Sequence, residues 1–302
     1  NIQKLTNTEE FLPMGSCVSV KKSSVKIADH KDIVSPTIHQ AKRRSFGSES
    51  MIFHTTTTSK ENINKIYSFK RILGAGHYGT VRIATNYFER NKKFAVKIVQ
   101  KSKFKNDLHL LTRELVILKQ IDHPNIVKFH EIYQDQKYVY FVMELCTGGE
   151  LLERIIEKKK LSEKEVAQIM QKVFSAVKYL HSLGIVHRDI KLENLLFSNR
   201  SPDAEIKLID FGLSALVGEG FDTNKLESVL GTPLYIAPEV IRGSHDERCD
   251  NWSLGVLMYI LLTGYAPFDG KNKKEVFKKI LHCKYNLYGK GMDHVSKQAK
   301  DL

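Results

Sequence analysis

The feature that most constrains the fold of this chain is a set of short strings that occur in one order along it. They are GAGHYGTV at residues 74–81, AVK at 95–97, HRDIKLEN at 187–194, DFG at 210–212 and APE at 237–239. A glycine-rich string alone is weak evidence, because an ordinary tight hairpin explains it equally well. An ordered set is much harder to obtain by chance, so we expect the fold to bring these strings together at one site.

The composition is that of a globular protein with a large core. The chain has 302 residues, of which 42% are apolar and 27% charged. It contains no apolar run long enough to span a bilayer, and its start lacks the basic-then-apolar layout of a secretory signal. The four cysteines lack metal-ligand spacing, which predicts free thiols and a cytoplasmic setting. The net charge is +13, but no nucleic-acid-binding motif accompanies it, so we interpret it as a solvated lysine-rich surface.

The chain divides into a leader and one folded domain. Residues 1–64 are rich in Ser, Thr, Lys and His and show little periodicity, which predicts a flexible leader. Within residues 65–302, alternation predicts strands at 67–73, 80–85, 93–99 and 137–145, and helical spacing predicts helices at 110–121, 163–183, 252–263 and 274–282. A β-rich part followed by an α-rich part predicts an α+β fold. We expect a smaller lobe at about 65–145 and a larger lobe at about 146–302.

The first two strings suit phosphate binding. Gly74, Gly76 and Gly79 lack a Cβ, so a turn built from them can lie close to phosphate oxygens with its N–H groups pointing at them. Lys97 stands between apolar residues of a predicted strand, where an ammonium group is costly unless it is paired. Glu114, on the helix that follows, is the expected partner. A surface salt bridge is the alternative interpretation of that pair.

The third and fourth strings supply an acid–base group and metal ligands. Asp189 is the expected base or orienting group for an incoming hydroxyl, and Lys191 can neutralise charge on a terminal phosphate. Asn194 and Asp210 offer hard oxygen ligands of the kind that Mg²⁺ prefers, with phosphate oxygens and water completing its shell. A purely structural loop would leave the spacing of these residues unexplained.

Together these strings resemble the protein kinase family over roughly residues 67–302. The resemblance implies a two-lobed fold, ATP and Mg²⁺ as cofactors, and phosphoryl transfer to a hydroxyl of a protein substrate. It also implies that the Lys97–Glu114 pair holds the α- and β-phosphates. The spacing of Lys191 from Asp189 favours Ser/Thr acceptors, and Thr232 matches the threonine that meets the catalytic Asp and Lys in Ser/Thr kinases.

The resemblance also implies an adenine pocket and an internal stack of side chains. Met143 matches the residue at the back of the pocket, and the backbones of Glu144 and Cys146 match the hinge that meets the adenine edge. The apolar and nucleotide-contacting positions are Leu73, Val81, Ala95 and Leu196. The stack that links the lobes is Leu118, Phe129, His187 and Phe211, with Asp250 as its anchor. Plain core packing is the alternative explanation for each of them.

Two further features concern substrate and regulation. Glu150 and Glu193 match acidic positions that meet ribose or basic substrate side chains, which predicts Arg or Lys a few residues before the acceptor. The alternative is that Glu150 and Glu193 are two solvated acids without a role in binding.

Arg188 is typical of kinases whose activation segment is ordered by a phosphate, and Ser228 matches the usual phosphorylated position. An unmodified loop serine is the alternative there.

Other strings resemble the calcium/calmodulin-dependent kinase group. They are CTGGEL at 146–151 and LTGYAPF at 262–268, and the last residues are similar to calcium-dependent protein kinases of plants and apicomplexan parasites. The sequence has no EF-hand loop, so we expect calcium to act only through regions outside this chain. Control by calmodulin or by an upstream kinase is the alternative.

We also expect the larger lobe to be incomplete at Leu302, since kinases continue with further helices and an arginine that pairs with Glu239.

The leader carries a candidate acylation motif. MGSCVS at residues 14–19 fits the N-myristoylation pattern, with Gly15 as the acylated residue and Cys17 placed for palmitoylation. Two acyl chains would give a stable membrane association, whereas one alone binds marginally. An accidental Met-Gly pair is the alternative, because thirteen residues precede Met14.

A kinase-shaped scaffold without transfer activity is the competing functional hypothesis for the chain as a whole, although none of the catalytic residues named above is lost.

Overall fold

The computed structural model describes residues 62–76, 79–89, 92–104, 108–158, 160–216, 233–244 and 246–302. The expectations for Gly15, Cys17, Ser228 and Thr232 lie outside the described residues, as does the leader up to residue 61. Within the described ranges, the helices are too short or too polar to cross a bilayer.

The N-lobe, residues 62–144, is built on a five-stranded antiparallel sheet with the strand order β1-β2-β3-β5-β4. The strands are β1 (Tyr67–Gly76), β2 (Gly79–Asn86), β3 (Lys93–Gln100), β4 (Phe129–Gln134) and β5 (Tyr138–Glu144). One helix, α1 (Leu108–Gln120), packs against the sheet. The four predicted strands are confirmed within a few residues, and β4 is an addition.

Strand β3 lies in the middle of the sheet and is covered on both faces. Phe94, Ala95 and Val96 are all buried, although they alternate in direction. The apolar stripe predicted for α1 is also confirmed, since Leu115 and Leu118 are buried in the same core as Val99 of β3. This packing fixes α1 beside β3, which sets the distance between their charged residues.

The C-lobe, residues 151–302, is mainly helical. Its helices are α2 (Leu151–Lys158), α3 (Glu163–Ser182), α4 (Pro238–Ile241), α5 (Arg248–Thr263), α6 (Lys273–Leu281) and α7 (Lys297–Asp301). Helix α3 begins at a capping box in which Ser162 and Glu165 satisfy each other's backbone N–H groups. Val173 and Leu180 of α3 pack with Leu257 and Ile260 of α5 in the centre of the lobe. The predicted α+β fold with two unequal lobes is therefore confirmed.

The predicted helices of the C-lobe are present with small shifts, and one begins earlier than expected. Helix α5 starts at Arg248 rather than at Trp252. Its first turn carries Cys249 and Asp250, both buried, and the charges of this turn interrupt the apolar periodicity. The helix ends at Thr263 and is capped by Gly264, whose φ of 75° suits a residue without a Cβ.

Two short antiparallel ribbons complete the C-lobe and support its loops. They are β6 (Ile185–Val186) with β9 (Ala215–Leu216), and β7 (Leu195–Phe197) with β8 (Ile206–Leu208). The linker, residues 145–150, runs along the β7–β8 ribbon, and Gly148 donates its N–H to the Phe197 carbonyl at 3.0 Å. A Cβ on Gly148 would come within 2.1 Å of the Asn199 carbonyl oxygen, so only glycine fits this approach.

Candidate active site

A cleft of about 1190 Å³ lies between the two lobes. Its walls contain most of the residues that the sequence assigned to nucleotide binding: Leu73, Gly74, Val81, Ala95, Lys97, Glu114, Met143, Glu144, Cys146, Glu150, Glu193, Leu196 and Asp210. The fold thus gathers residues from β1, β2, β3, α1, β5, the linker and the β7–β8 ribbon around one space. Among the described residues, Gly79 and Asn194 lie outside this lining.

The glycine-rich string forms the end of the β1–β2 hairpin. Gly76 pairs with Gly79, and Gly74 pairs with Val81. A Cβ on Gly79 would lie 1.9 Å from the Ile98 carbonyl oxygen, so glycine is required there by the neighbouring strand β3. A Cβ on Gly74 would meet no atom of the described residues within 4 Å. The space beside Gly74 is therefore open on the side of the cleft that its lining faces, which is consistent with close approach of a ligand.

Lys97 is held by carboxylates from both lobes. Its Nζ lies 2.7 Å from Oε1 of Glu114 and 3.0 Å from Oδ1 of Asp210. Burial lowers the pKa of Lys97, but the charges of Asp210 and Glu114 outweigh it and raise the pKa above its ordinary value. The charge of Lys97 in turn lowers the pKa of Asp210 to about 2. The expected Glu114 partner is present, and Lys97 and Asp210 are both charged at neutral pH.

The loop after β6 brings three predicted residues into contact. Nζ of Lys191 lies 2.9 Å and 2.8 Å from the two carboxylate oxygens of Asp189. The amide nitrogen of Asn194 donates to the Asp189 carbonyl at 2.7 Å and to its Oδ2 at 2.9 Å. Because the nitrogen of Asn194 serves Asp189, the side-chain oxygen is the atom left for a metal ion. The carboxylate of Asp189 is thus oriented by two neighbours.

The backbone of this loop is anchored by a fully buried carboxylate at the start of α5. Asp250 accepts hydrogen bonds from the N–H groups of His187 and Arg188, both at 2.8 Å. It also contacts Nε2 of His181 at the end of α3, at 2.9 Å. Arg188 has a φ of 68°, which costs energy for a residue with a side chain, and these bonds offset that cost. The predicted position of Asp250 as an anchor is confirmed, whereas His181 was not predicted.

The two C-lobe strings also meet through their aromatic rings. His187 packs edge-to-face on Phe211, with ring centroids 4.9 Å apart. Asp210, between β8 and Phe211, has a φ of 63°, so this backbone too is held in the left-handed region. Strained backbone at both strings indicates that the surrounding structure fixes the directions of Asp189 and Asp210.

Part of the linker side of the cleft is apolar. Burial raises the pKa of the Cys146 thiol to about 12, and the charge of Glu144 adds to the effect. The thiol is therefore protonated and behaves as an apolar wall beside Met143 and Leu196. The carboxylate of Glu144 has a different partner, because its Oε2 lies 2.9 Å from Nζ of Lys207 on β8. The sequence predicts only a backbone role for Glu144, and Lys207 was not predicted.

An acidic group lines the C-lobe rim of the cleft. The pKa of Glu150 is raised by burial and by the nearby charges of Glu153 and Glu193. Oε2 of Glu193 is buried and has no hydrogen-bond partner among the described residues. Glu153, which sequence analysis missed, accepts a hydrogen bond from the Glu150 N–H at 3.1 Å. This rim concentrates negative charge and leaves one acceptor unsatisfied, which favours binding of a cationic group.

Comparison with known proteins agrees with this geometry. The family model for "Protein kinase domain" matches residues 67–302. "Calcium-dependent protein kinase 5" of Plasmodium berghei (strain Anka) is 41% identical over 258 residues, which cover 85% of this chain and 45% of that protein. The protein of the same name from Plasmodium falciparum (isolate 3D7) is 42% identical over 258 residues, with 85% and 44% covered.

A relative with a different name and from a different organism has a similar percentage of identical residues. "Myosin light chain kinase A" of Dictyostelium discoideum is 41% identical over 242 residues, which cover 80% of this chain and 81% of that protein. The chain therefore spans less than half the length of the Plasmodium relatives and most of the length of the Dictyostelium one.

Proposed function

Because this chain belongs to the protein kinase family, we propose that it transfers the γ-phosphoryl group of ATP to a serine or threonine hydroxyl of a protein substrate. The observation that carries the proposal is the charged group formed by Lys97, Asp210 and Glu114. The oriented carboxylate of Asp189, on the loop after β6, supplies the base. A cleft with this arrangement offers a cation for phosphate oxygens, an anionic oxygen for a metal ion and a base for the acceptor.

The donor set fits a magnesium ion. Asp210 is ionised at neutral pH, and Asn194 has an amide oxygen left for coordination. Two protein oxygens suffice for Mg²⁺, because this ion keeps waters and phosphate oxygens in its shell. When bound, Mg²⁺ would neutralise part of the charge on the phosphates.

The protein residues divide the remaining tasks. Lys97 binds phosphate oxygens as a cation, and Glu114 offsets the cost of burying that charge. Asp189 orients the acceptor hydroxyl and accepts its proton as the O–H bond breaks. The acceptor oxygen bonds to the γ-phosphorus while the bond from this phosphorus to the bridging oxygen of ADP breaks. Lys191, in contact with Asp189, stabilises charge on the group in transfer.

We propose that the acidic rim selects substrates with Arg or Lys a few residues before the acceptor. Glu150, Glu153 and Glu193 lie close enough for the latter two charges to raise the Glu150 pKa. Oε2 of Glu193 lacks a protein partner among the described residues, and a guanidinium group would supply one. The separation of Lys191 from Asp189 supports serine or threonine, rather than tyrosine, as the acceptor.

The test is transfer of labelled phosphate from ATP to a peptide with Arg three residues before Ser. Asp210→Asn and Lys97→Met should each lower kcat/KM by about 100-fold or more, because each removes a charge that acts on the phosphates. Lys172→Met is the matched control. Lys172 forms a 3.0 Å surface pair with Glu205 outside the cleft, and its loss should leave the rate unchanged.

Two results would contradict the proposal. One is parent-like transfer in Asp210→Asn, which would remove this carboxylate from the reaction. The other is a parent protein that binds ATP but transfers no phosphate, which would favour the kinase-shaped scaffold.

A further inference from the structure

Glu144 lies between two cavities. It lines the nucleotide cleft, and it also lines a smaller cavity of about 350 Å³ together with His123, Lys128, His130 and Lys207. The family resemblance accounts for the first cavity through the backbone of Glu144. The resemblance gives no reason for the contacts that the Glu144 carboxylate makes in the smaller cavity.

One oxygen of this carboxylate joins the two lobes. On the N-lobe side, Oε2 of Glu144 accepts a hydrogen bond from the Lys128 N–H at 3.2 Å, while the Glu144 N–H donates to the Lys128 carbonyl at 2.8 Å. On the C-lobe side, Nζ of Lys207 donates to the same Oε2 at 2.9 Å. Lys128 precedes β4, and Lys207 lies on β8.

The far end of the linker is attached to the same ribbon of the C-lobe. The N–H groups of Thr147 and Gly148 donate to the carbonyls of Ser198 and Phe197, both at 3.0 Å. The β7–β8 ribbon therefore holds the linker at both ends. Lys207 is also paired in register with Leu196, which lines the nucleotide cleft. A shift of the Glu144–Lys207 contact would thus move the wall and the floor of that cleft relative to each other.

The surroundings make this contact stronger than an ordinary surface pair. The side chains of Lys207 and Glu144 are only 12% and 27% exposed, so water screens them less than it screens exposed pairs. Nζ of Lys128 contacts Asp122 at 3.5 Å instead. Burial lowers the pKa of His123, and Lys207 lowers it further. The pKa of His130 is lowered by burial and by Lys92 and Lys128, so neither imidazole is a competing cation near pH 7.

We propose that the Glu144–Lys207 ion pair ties the hinge to the C-lobe and that Lys207 is a positioning residue for nucleotide binding. The inference rests on the proposed function only in taking the cleft to be a nucleotide site. Residues 125–127 still pair with β8 when the tie is lost. The hinge at Glu144, however, samples a wider range of positions, and nucleotide binds only to the fraction of molecules with the correct one. Loss of either partner weakens nucleotide binding while the groups that carry out transfer stay in place.

The test compares Lys207→Met, Glu144→Gln and the double variant with the parent. Glutamine keeps an oxygen for the Lys128 N–H, and methionine keeps the unbranched stem of lysine. We expect the KM for ATP and the Kd for ADP, the latter from a fluorescent analogue, to rise about fivefold in each single variant, with kcat within about twofold. The double variant should be no weaker than either single variant, since both remove the same interaction.

Lys172→Met is again the control, because its 3.0 Å pair with Glu205 lies within the C-lobe. It should leave both KM and Kd unchanged. Unchanged nucleotide affinity in the two single variants would overturn the inference, even if their melting temperatures fell. A fall in kcat at constant KM, or additive effects in the double variant, would overturn it as well.

Failure of this inference is distinguishable from failure of the proposed function. A parent protein that binds ADP but does not transfer phosphate contradicts the proposed function, and the ADP affinities of the variants still decide whether the tie exists. A parent protein that binds no nucleotide contradicts both.

Discussion

At the scale of single residues, the cleft is organised by charges that would be unfavourable alone. Lys97 has apolar neighbours on β3, and two carboxylates keep it cationic. The rim shows the opposite case, where burial and like charges raise the pKa of Glu150. The first group is set for binding anions at all ordinary pH values. In the second, Glu150 loses its charge at a higher pH than an ordinary glutamate does, and this difference is measurable.

The raised pKa of Glu150 predicts a pH-dependent preference for basic peptides. A carboxyl group with a raised pKa gains its proton at a higher pH than an ordinary glutamate, so Glu150 becomes neutral as the pH falls. The KM for a peptide with Arg three residues before Ser should therefore rise as the pH falls, and this rise should begin at a higher pH than protonation of an ordinary glutamate would give. The measurement is KM against pH.

Two controls isolate Glu150 in that experiment. A peptide with Ala in place of the Arg should show a flatter KM profile, and the Glu150→Gln variant should show a flat profile with the Arg peptide. A parallel change of KM for both peptides in the parent would exclude Glu150 as the cause.

At the scale of elements, the helices depend on local signals as well as on packing. Helix α3 is capped by Ser162, whose hydroxyl accepts a hydrogen bond from the Glu165 N–H at 3.3 Å. The Glu165 carboxylate in turn accepts one from the Ser162 N–H at 2.9 Å. The helix ends at Ser182, next to His181. Because His181 contacts Asp250, the position of α3 matters for the loop that holds Asp189.

Ser162→Ala should lower the free energy of unfolding by about 1 kcal/mol, because it removes one half of a capping box. Urea titration followed by circular dichroism measures the change. Ser182→Ala is the matched control at the other end of α3, where the hydroxyl donates to the Tyr179 carbonyl at 2.7 Å. We expect a change within about 0.5 kcal/mol for that variant. Equal effects at both ends would contradict a specific role for the cap.

The elements that sequence analysis missed have physical reasons for being difficult to predict. Strand β4 contains a register shift between Phe129 and Glu131, which breaks the alternation that marks a strand. Helix α2 covers only residues 151–158, about two turns, which is short for a periodic pattern. The first turn of α5 is polar because Asp250 accepts hydrogen bonds from the backbone of the loop at His187 and Arg188.

The residues of the candidate site that lie in the ordered strings could be predicted from the sequence, whereas those that act through long-range contacts could not. Residues within the ordered strings, such as Lys97 and Asp189, were predicted because each string carries its chemistry in a fixed spacing. His181, Glu153 and Lys207 were missed because their roles depend on contacts across the fold. His181 is 69 positions from Asp250, and Lys207 is 63 positions from Glu144. No local pattern marks such pairs.

At the scale of the whole molecule, each lobe supplies one part of the proposed chemistry. The N-lobe provides the hairpin of glycines and the cation of Lys97, whereas the C-lobe provides Asp189, Asn194 and Asp210. The Lys97–Asp210 contact at 3.0 Å crosses the cleft and shows that the two parts are within reach of one ligand. The central claim is that this cleft holds magnesium-bound ATP with its terminal phosphate between the lobes.

The most direct test of that claim is the affinity for ATP with and without Mg²⁺, measured by calorimetry in the parent and in Asp210→Asn. The account predicts that Mg²⁺ strengthens ATP binding in the parent by about tenfold or more, and that this gain disappears in Asp210→Asn because the anionic metal ligand is lost. Lys172→Met should behave as the parent does. An equal gain from Mg²⁺ in Asp210→Asn, or no gain in the parent, would contradict the account.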